Sequence, residues 1–499
     1  MSEALNGAAR EAAQGAPAHG AAHGAAHGPV EEPVNPALRE AVREPVPASG
    51  RPAAPAPVPS PFAGMLDSAA GGLSRGLARI TGTTVGRYQA AVVRIGVSLT
   101  WLLFLLREWP HRHELYGPDG AWSWDLADRL VAGNHAFTLL LWGRADAWFE
   151  VVYTGAILAS VMLLLGWRTR TASLLFMIGV LSLQNRSVFV GDGGDNVIHL
   201  MAIYLVVTRC GRVWSLDSRR RARGRDGDGD GAGVALWIVL GLVLAVAQLL
   251  GSTGLTWTDG LLPWLGWTPF LWGFLLLQAV WWAVRRYAPG EPRTVLDILA
   301  NILHAAGLLV IVVEVCLIYS TAGWYKVQGS RWQDGTALYY PLHLDDFSPW
   351  PGLSHAMAAS GLMVMVITYG TVIVQVAFPF TLFNRRVKNV LLALMMVEHA
   401  SIAVVLGLPF FSLAMIAADA VFLPTGFLRW AGDRVARLVR RGGGRDAAAG
   451  GAGEPEDARP RDADDADDAE RAKDAPVRAV AGPRGPGPDG EPAPSNLVV

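Results

Sequence analysis

A single lysine follows a long apolar run and stands among aromatic residues. The run ends at Tyr319, and Trp324, Tyr325 and Lys326 come after a few small residues. An amine that loses part of its water shell gives up its proton more readily, so such a lysine could serve as a base. A lysine at the end of a membrane helix can instead extend its ammonium into the headgroup layer. The spacing alone favours this second interpretation, with Lys326 at the outer lip of its helix.

A carboxylate and an imidazole, Glu398 and His399, lie next to each other inside the apolar run at 389–407. Neighbouring residues point about 100° apart on a helix, so both side chains can reach the interior of a bundle. A histidine–carboxylate pair in a low dielectric can relay protons or hydrogen-bond a quinone oxygen. Polar side chains of membrane helices also form interhelical hydrogen bonds, and the sequence leaves both interpretations open.

These residues belong to a pattern that resembles the HTTM domain, which is shared with vitamin K-dependent γ-carboxylase. The segment at 185–196 and the helix at 389–407 resemble parts of the same family. The resemblance covers roughly residues 88–430. Its most specific part consists of Tyr319-Ser-Thr-Ala-Gly-Trp-Tyr-Lys326, the turn Trp332-Gln-Asp-Gly335 and the run Ala-Leu-Tyr-Tyr340.

The resemblance implies a role for each group of residues. The lysine of this motif is taken in the carboxylase as the base that deprotonates a reduced quinone, and Lys326 matches it by position. Glu398 and His399 would then orient the quinone or relay protons. A reduced quinone is the implied cofactor, and no metal is implied. The implied walls of the ring site are Trp324, Tyr325, Trp332, Tyr339 and Tyr340.

Hydrophobicity is concentrated in the middle of the chain. The 499 residues are 52% hydrophobic, and apolar runs of membrane-spanning length recur there. The sequence therefore predicts an all-α polytopic membrane protein, a bundle of about ten transmembrane helices between two disordered tails. The predicted spans are 88–107, 148–166, 171–189, 194–209, 232–251, 268–285, 296–323, 357–380, 389–407 and 411–428.

Composition divides the chain into three parts. Residues 1–75 and 431–499 are rich in Ala, Gly, Pro and charge, which predicts disorder. Residues 76–430 hold the transmembrane domain, in which 228–290 is predicted to be a two-helix insertion relative to the compact family pattern. The carboxylase has a large folded domain after its membrane core, whereas a tail is expected here. This difference argues against carboxylation of protein glutamates.

Arginine is concentrated in alternate loops of the predicted bundle. The positive-inside rule then places the arginine-rich face and both termini in the cytoplasm of a plasma-membrane protein. Lys326 and the loop after it would face outward. The formal net charge of −1 gives no reason to expect nucleic acid as a partner. The expected partners are membrane lipid and a peptide or small-molecule substrate on the outer face.

Other polar residues within the predicted spans have structural as well as functional interpretations. Asp297, Asn301 and His304 share one helical face by their spacing. Asp195 or Asn196 is predicted to cap the helix that follows. The spacing does not decide a functional role for Asp195 or His304.

Glu314 is a further ionisable residue whose role the spacing leaves open. It lies twelve residues before Lys326, which is about 18 Å along a continuous helix. A direct pair between the two side chains would therefore require a helix break at Gly323.

Two classes of function agree with these observations. The first is a membrane-embedded, quinone-dependent enzyme with carboxylase-like chemistry, in which Lys326 is the base on the extracytoplasmic side. The second is a non-catalytic membrane protein for peptide or toxin maturation, export or immunity, similar to the sporulation-delaying-protein-B type of the HTTM family. A transporter agrees less well, because the sequence shows no inverted repeat or pair of broken helices.

Overall fold

The structure is a computed structural model of the full chain. It describes residues 61–224, 231–253, 256–257 and 264–443, with side chains at 70–224, 231–253 and 266–438. Residues 1–72 and 73–499 form two compact units, and only 61–72 of the first unit are described. Most of the two predicted tails, 1–60 and 444–499, lies outside the described residues.

The described chain is helical apart from one two-residue β pairing, in which Thr256–Trp257 (β1) lies antiparallel to Trp264–Leu265 (β2). Helices are expected of apolar runs, because a backbone in hydrocarbon must pair its own N–H and C=O groups. The helices are α1 (Pro61–Gly82), α2 (Arg87–Glu108), α3 (Arg112–Tyr116), α4 (Trp124–Asn134), α5 (Asp146–Leu165), α6 (Thr169–Arg186), α7 (Gly193–Val207), α8 (Leu216–Ala222), α9 (Gly231–Leu249), α10 (Trp267–Tyr287), α11 (Glu291–Gln328), α12 (Ser330–Gln333), α13 (Pro351–Ala358), α14 (Gly361–Ala377), α15 (Arg385–Val405), α16 (Pro409–Asp419) and α17 (Thr425–Gly443). Turns of 3-10 helix lie at Trp109–His111, Leu140–Trp142, Ala337–Tyr339, Pro341–His343, Asp345–Phe347, Phe378–Thr381 and Ala420–Phe422.

Seven of the described helices are long and apolar enough to cross a membrane, and the number is eight if the bent pair α16–α17 counts as one span. The prediction of a helical, multi-pass bundle is confirmed at this level. A helix also lies at each of the ten predicted ranges, although α6, α7 and α16 alone do not qualify as spans. The seven are Arg87–Tyr116, Asp146–Leu165, Gly231–Leu249, Trp267–Tyr287, Glu291–Gln328, Gly361–Thr381 and Arg385–Val405.

The three helices that fall short pack at the centre of the bundle. Helix α7 has 15 residues and α16 has 11, about 22 and 16 Å at the helical rise, whereas the hydrocarbon layer is about 30 Å thick. Together with α2 and α5, they hold most of the buried apolar core. A helix that is surrounded by protein needs neither the length nor the apolar surface of a helix in contact with lipid. Length and hydropathy alone therefore do not identify it as a membrane span.

The last predicted span is two helices at an angle. Helix α16 ends at Asp419, a 3-10 turn follows, and α17 leaves at 118° to the preceding segment. Pro424 accounts for the break, since proline lacks an N–H and disfavours a helical residue before it. The predicted span 411–428 therefore stops at Phe422. The predicted disordered tail from 431 begins too early, because residues 425–443 form α17.

Helices α9 and α10 lie at the periphery. Only Leu244 and Ala247 of α9, and Thr268 and Leu275 of α10, are buried among their described residues. Most of the apolar surface of these two helices therefore lies outside the buried core. The prediction that 228–290 is an insertion remains a prediction, and a peripheral position agrees with it.

Polar contacts join three helix ends on the arginine-rich face. The Arg209 guanidinium donates to Asp297 Oδ1 and to Asn301 Oδ1, both at 2.6 Å. His304 accepts the backbone N–H of Arg209 at Nδ1 (3.0 Å), and its Nε2 lies 2.7 Å from the carbonyl oxygen of Val85. The shared face of Asp297, Asn301 and His304 is confirmed, and these side chains tie α11 to the end of α7 and the start of α2.

A capping box begins α7. Asp192 Oδ1 accepts the backbone N–H groups of Gly194 (2.6 Å) and Asp195 (3.2 Å), while Asp195 Oδ2 accepts that of Asp192 (2.8 Å). The prediction that Asp195 or Asn196 caps this helix is therefore wrong, because the cap is Asp192 and Asp195 is its reciprocal partner. The missed signal was the three-residue spacing of two acceptors before an apolar run.

Candidate functional site

The amine of Lys326 begins a hydrogen-bonded chain across three helices. Lys326, in the last turn of α11, donates to Gln375 Oε1 on α14 at 2.7 Å. The amide nitrogen of Gln375 donates to Glu398 Oε1 on α15 at 2.6 Å. An ammonium can only donate and a carboxylate only accepts, so this pair fixes the orientation of the amide between them. The structure thus links Lys326 and Glu398 through a residue that the sequence prediction omitted.

All three residues lie within the ranges of spans, although Lys326 and Gln375 each lie two residues before the end of their α-helix. Gln375 follows Gly361 by 14 residues in the span Gly361–Thr381, and Glu398 follows Arg385 by 13 residues in the next span. At the helical rise, both lie about 20 Å from those helix ends. Lys326 lies in the last turn of α11, so the outer-lip position that the sequence predicts remains a prediction. The half-buried amine is bound to a neighbouring helix.

The segment after Lys326 folds back along α14. The Tyr369 hydroxyl of α14 donates to the carbonyl oxygen of Gln333 at 2.8 Å. Gly335 has φ 76°, and a Cβ at this position would lie 3.2 Å from the Tyr369 ring. Glycine is needed at this turn for both reasons. The segment therefore packs on the part of α14 between its first residue and Gln375.

A second glycine brings α11 and α14 together beside the chain. A Cβ at Gly323 would lie 2.6 Å from Val376 Cγ2, so the absent side chain permits the close approach of the two helices. Helix α11 runs without interruption through this glycine. Because there is no break, Glu314 stays about 18 Å from Lys326 along the helix axis. Gly323 serves packing and does not bring these two residues together.

A second polar cluster lies in the core next to the chain. The Tyr319 hydroxyl is 2.9 Å from both carboxylate oxygens of Asp419 and 3.0 Å from His399 Nε2. Asp419 is 0% exposed, Tyr319 1% and His399 2%. The cluster joins α11, α15 and α16. An acidic residue inside an apolar run was the sequence signal for it, since such groups need a buried partner.

Hydrogen-bond logic assigns the protons of this cluster. When Asp419 is ionised, the single hydroxyl proton of Tyr319 goes to its carboxylate, which can only accept. In that state His399 Nε2 carries a proton and donates it to the hydroxyl oxygen, which is an assignment from the network. Nδ1 of His399 then holds a lone pair. It has no hydrogen-bond partner among the residues that the structure describes.

Glu398 and His399 point to different neighbours, as their angular separation predicts. Glu398 is bonded toward α14, whereas His399 is bonded toward α11 and packs on the Phe411 ring at 5.6 Å between centroids. Both residues form the interhelical hydrogen bonds that one interpretation of the sequence proposed. Their adjacency on α15 brings the lysine chain and the tyrosine cluster side by side.

Only one of the five predicted ring-site aromatics contacts the amine. Lys326 Nζ lies 5.2 Å from the centroid of the Trp332 ring. Trp324 and Tyr325 are 63% and 75% exposed, so neither forms an enclosed wall.

The remaining two aromatics belong to a separate group on the returning segment. Tyr339 packs on His343 with centroids 4.0 Å apart and lies edge-on to Tyr340 at 5.9 Å. The Arg331 guanidinium lies over the Tyr340 ring at 4.8 Å. The structure does not connect this group to Lys326.

Two clefts lie elsewhere on the described surface. An apolar cleft of about 440 Å³ is lined by Trp350–Leu353 and Val404, and one of about 380 Å³ by His113–Glu114, Gly117–Ala121 and Asp146. Lys326, Glu398 and His399 line neither cleft. No three His, Cys, Asp or Glu side chains come together as a metal site in the described part of the chain.

Comparison with family models, with curated proteins and with solved structures finds no match to this chain.

Proposed function

We propose that this protein is an HTTM-type membrane enzyme in which Lys326 acts as a base toward a reduced quinone. The chain from Lys326 through Gln375 to Glu398, inside the spans, is the observation that carries the proposal. Ionisable side chains at this depth are costly and mark function or a buried partner. A lipid-soluble substrate can approach an amine at the end of a span from the bilayer.

The residues around the amine agree with a hydroquinone in part. The Trp332 ring offers a face on which an aromatic ring can stack, and Lys326 offers a proton acceptor. Trp324 and Tyr325 are too exposed to enclose a ring, so the proposed ring site is limited to Trp332 and the polar chain. A reduced quinone, when bound, would supply reducing equivalents and a phenolic O–H.

Each polar residue has one task in this proposal. Neutral Lys326 Nζ accepts a proton and becomes an ammonium. Gln375 Oε1 accepts a hydrogen bond from that ammonium, and Glu398 offsets the charge through the Gln375 amide. The lone pair on His399 Nδ1 is a second acceptor, while Tyr319 and Asp419 fix the tautomer of the imidazole.

We further propose ten spans in the plasma membrane with both termini cytoplasmic. Support comes from the helix at each of the ten predicted ranges. It also comes from contacts among the arginine-bearing segments, such as Arg209 with Asp297 and Arg170 over the Trp281 ring at 3.6 Å. Alternate helix ends therefore meet at one basic face, as the positive-inside rule requires.

The test of the enzymatic proposal compares Lys326→Ala with Lys326→Arg in lipid nanodiscs. The assay measures the protein-dependent oxidation of a naphthohydroquinone by O₂. The rate is obtained from the loss of hydroquinone fluorescence. Both variants are expected to lose about 100-fold or more of the rate, since a guanidinium stays charged and cannot act as the base.

Arg331→Ala is the matched control, because this exposed side chain contacts Tyr340 on the same segment and not the polar chain. It is expected to keep the wild-type rate, and thermal unfolding checks that every variant is folded. A wild-type rate in Lys326→Arg would overturn the role of the amine. A wild-type protein no faster than empty nanodiscs would overturn the enzyme and favour a non-catalytic role in peptide maturation, export or immunity.

A further inference from the structure

Helix α17 exposes apolar side chains on one side and arginines on another. Phe427, Val435 and Leu438 are 48%, 60% and 59% exposed. At 100° per residue they lie within an arc of about 80°. Exposed Arg434 lies beside Phe427 at the edge of this arc, and exposed Arg437 lies about 60° beyond Arg434. A soluble helix would not leave such an arc uncovered.

The remaining side of α17 is held by the bundle. Leu428 is buried, and a Cβ at Gly432 would lie 2.6 Å from the Trp214 ring. At the start of the helix, the Gln89 amide donates to the Leu423 carbonyl at 2.9 Å and to Thr425 Oγ1 at 3.0 Å. These contacts fix α17 on the start of α2, so its exposed apolar arc has a defined direction.

The direction of α17 places it across the spans. It departs at 118° from the preceding helix, α16, which packs along α2 in the bundle. A helix that turns by 118° from a span cannot continue through the bilayer, so α17 runs at a shallow angle along the membrane surface when α16 follows the membrane normal. It starts beside the basic face, where Lys388 donates to the Phe422 carbonyl at 2.5 Å. Amphipathic helices with arginine beside an apolar face bind at the headgroup boundary of anionic lipid.

We propose that α17 docks on anionic phospholipid in the leaflet at the basic face, with Phe427, Val435 and Leu438 at the acyl boundary. Exposed Arg434 and Arg437 bind the headgroup phosphates. Only one 3-10 turn separates α17 from α16, so the helix starts directly at the bundle. Each arginine is expected to change docking about fivefold, the effect of one basic residue near an anionic surface.

The experiment places a spin label on each side of α17 in the full chain. Cys210→Ala and Cys316→Ala remove the two native thiols. Val435→Cys labels the apolar arc, and Asp433→Cys is the matched control on the exposed polar side two residues away. Collision with oxygen, which partitions into lipid, is compared with collision with a water-soluble nickel chelate. Nanodiscs of phosphatidylcholine are compared with nanodiscs containing phosphatidylglycerol.

The label at 435 is expected to be shielded from nickel and accessible to oxygen when phosphatidylglycerol is present, while the label at 433 shows the reverse. Arg434→Gln with Arg437→Gln is expected to raise nickel accessibility at 435 several-fold in those nanodiscs. Equal nickel accessibility at the two positions would overturn the docking of the apolar arc. No difference between the two lipid compositions would overturn the role of lipid charge.

A soluble phosphate compound separates the lipid from a free anion as the ligand. Glycerophosphate added to phosphatidylcholine nanodiscs is expected to leave the label at 435 unchanged, because it offers no acyl boundary. The full shift with glycerophosphate alone would assign the arginines to a free-phosphate site and overturn lipid docking.

Discussion

The hydroxyl of Tyr319 satisfies a carboxylate and an imidazole that water cannot reach. Asp419 and His399 are 0% and 2% exposed, and both are bonded to this one oxygen. Leaving a buried acceptor without its donor costs about 1–3 kcal/mol, and more for a charged one. The single tyrosine therefore gives two ionisable side chains a hydrogen-bond partner in the core of the bundle.

Tyr319→Phe is expected to lower the free energy of unfolding by about 1–3 kcal/mol, because it leaves Asp419 and His399 Nε2 unpaired. Unfolding of purified protein by sodium dodecyl sulfate, in mixed micelles, measures the change. The double variant Tyr319→Phe with Asp419→Leu is the control, since it also removes the buried carboxylate. It is expected to recover part of the loss, and a double variant as unstable as the sum of the two singles would contradict the pairing.

At the scale of elements, single residues decide where helices begin and how closely they pack. Asp192 sets the start of α7, and Gly323 sets the separation of α11 from α14 beside Lys326. Both residues act on the backbone. Asp192 accepts hydrogen bonds from backbone N–H groups, and Gly323 has no side chain to keep the two helices apart. The positions of the helices at the site therefore depend on residues that have no role in the proposed reaction.

Asp192→Ala is expected to destabilise the protein by about 1 kcal/mol, since it leaves two N–H groups at the start of α7 without their acceptor. Asn196→Ala, at an exposed position in the same turn, is the matched control and is expected to change stability by less than about 0.5 kcal/mol. The same detergent titration measures both. If Asn196→Ala destabilised the protein more than Asp192→Ala, the result would support Asn196 as the N-cap, as the sequence predicted.

Gly323→Ala is expected to push α11 away from α14 and to weaken the bond between Lys326 and Gln375, because the new methyl group meets Val376 at 2.6 Å. Gly370→Ala, in α14 with open space around its Cβ, is the control and is expected to be neutral or stabilising. Hydroquinone oxidation and thermal unfolding measure the two effects. Val376→Ala added to Gly323→Ala should restore both, and failure to do so would mean that the glycine acts in another way.

At the scale of the whole molecule, the basic helix ends converge on one face. Arg209 reaches Asp297, Lys388 reaches Phe422, and the start of α2 contacts the residues just before α17. The proposed orientation places this face in the cytoplasm. The acidic turn with Asp119 belongs to the opposite face under the same proposal.

The orientation predicts which cysteines react with a membrane-impermeant maleimide in intact cells. In the protein without its two native cysteines, Asp119→Cys is expected to react from outside, and Arg219→Cys only after permeabilisation. Both positions are exposed, so access depends on the side of the membrane. Reaction of Arg219→Cys in intact cells, with Asp119→Cys protected, would reverse the proposed topology.

The sequence by itself determined the class of fold and most helix positions. Apolar runs such as those ending in Val207 and Tyr287 have no alternative to helices in hydrocarbon, because every backbone group must find a partner within its own segment. It also singled out Lys326, Glu398 and His399, since ionisable residues are conspicuous in an apolar run. The asymmetry of arginine gave the proposed topology by the same local reasoning.

Only the tertiary structure decided which polar groups meet. Gln375 joins Lys326 to Glu398, and Tyr319 joins Asp419 to His399, across intervals of 23 to 100 residues. Periodicity gives the face of one helix but not the rotation and depth of its neighbour, which depend on close contacts such as that at Gly323. The exposure of Trp324 and Tyr325 could not be predicted from the sequence for the same reason, because it depends on where α14 packs.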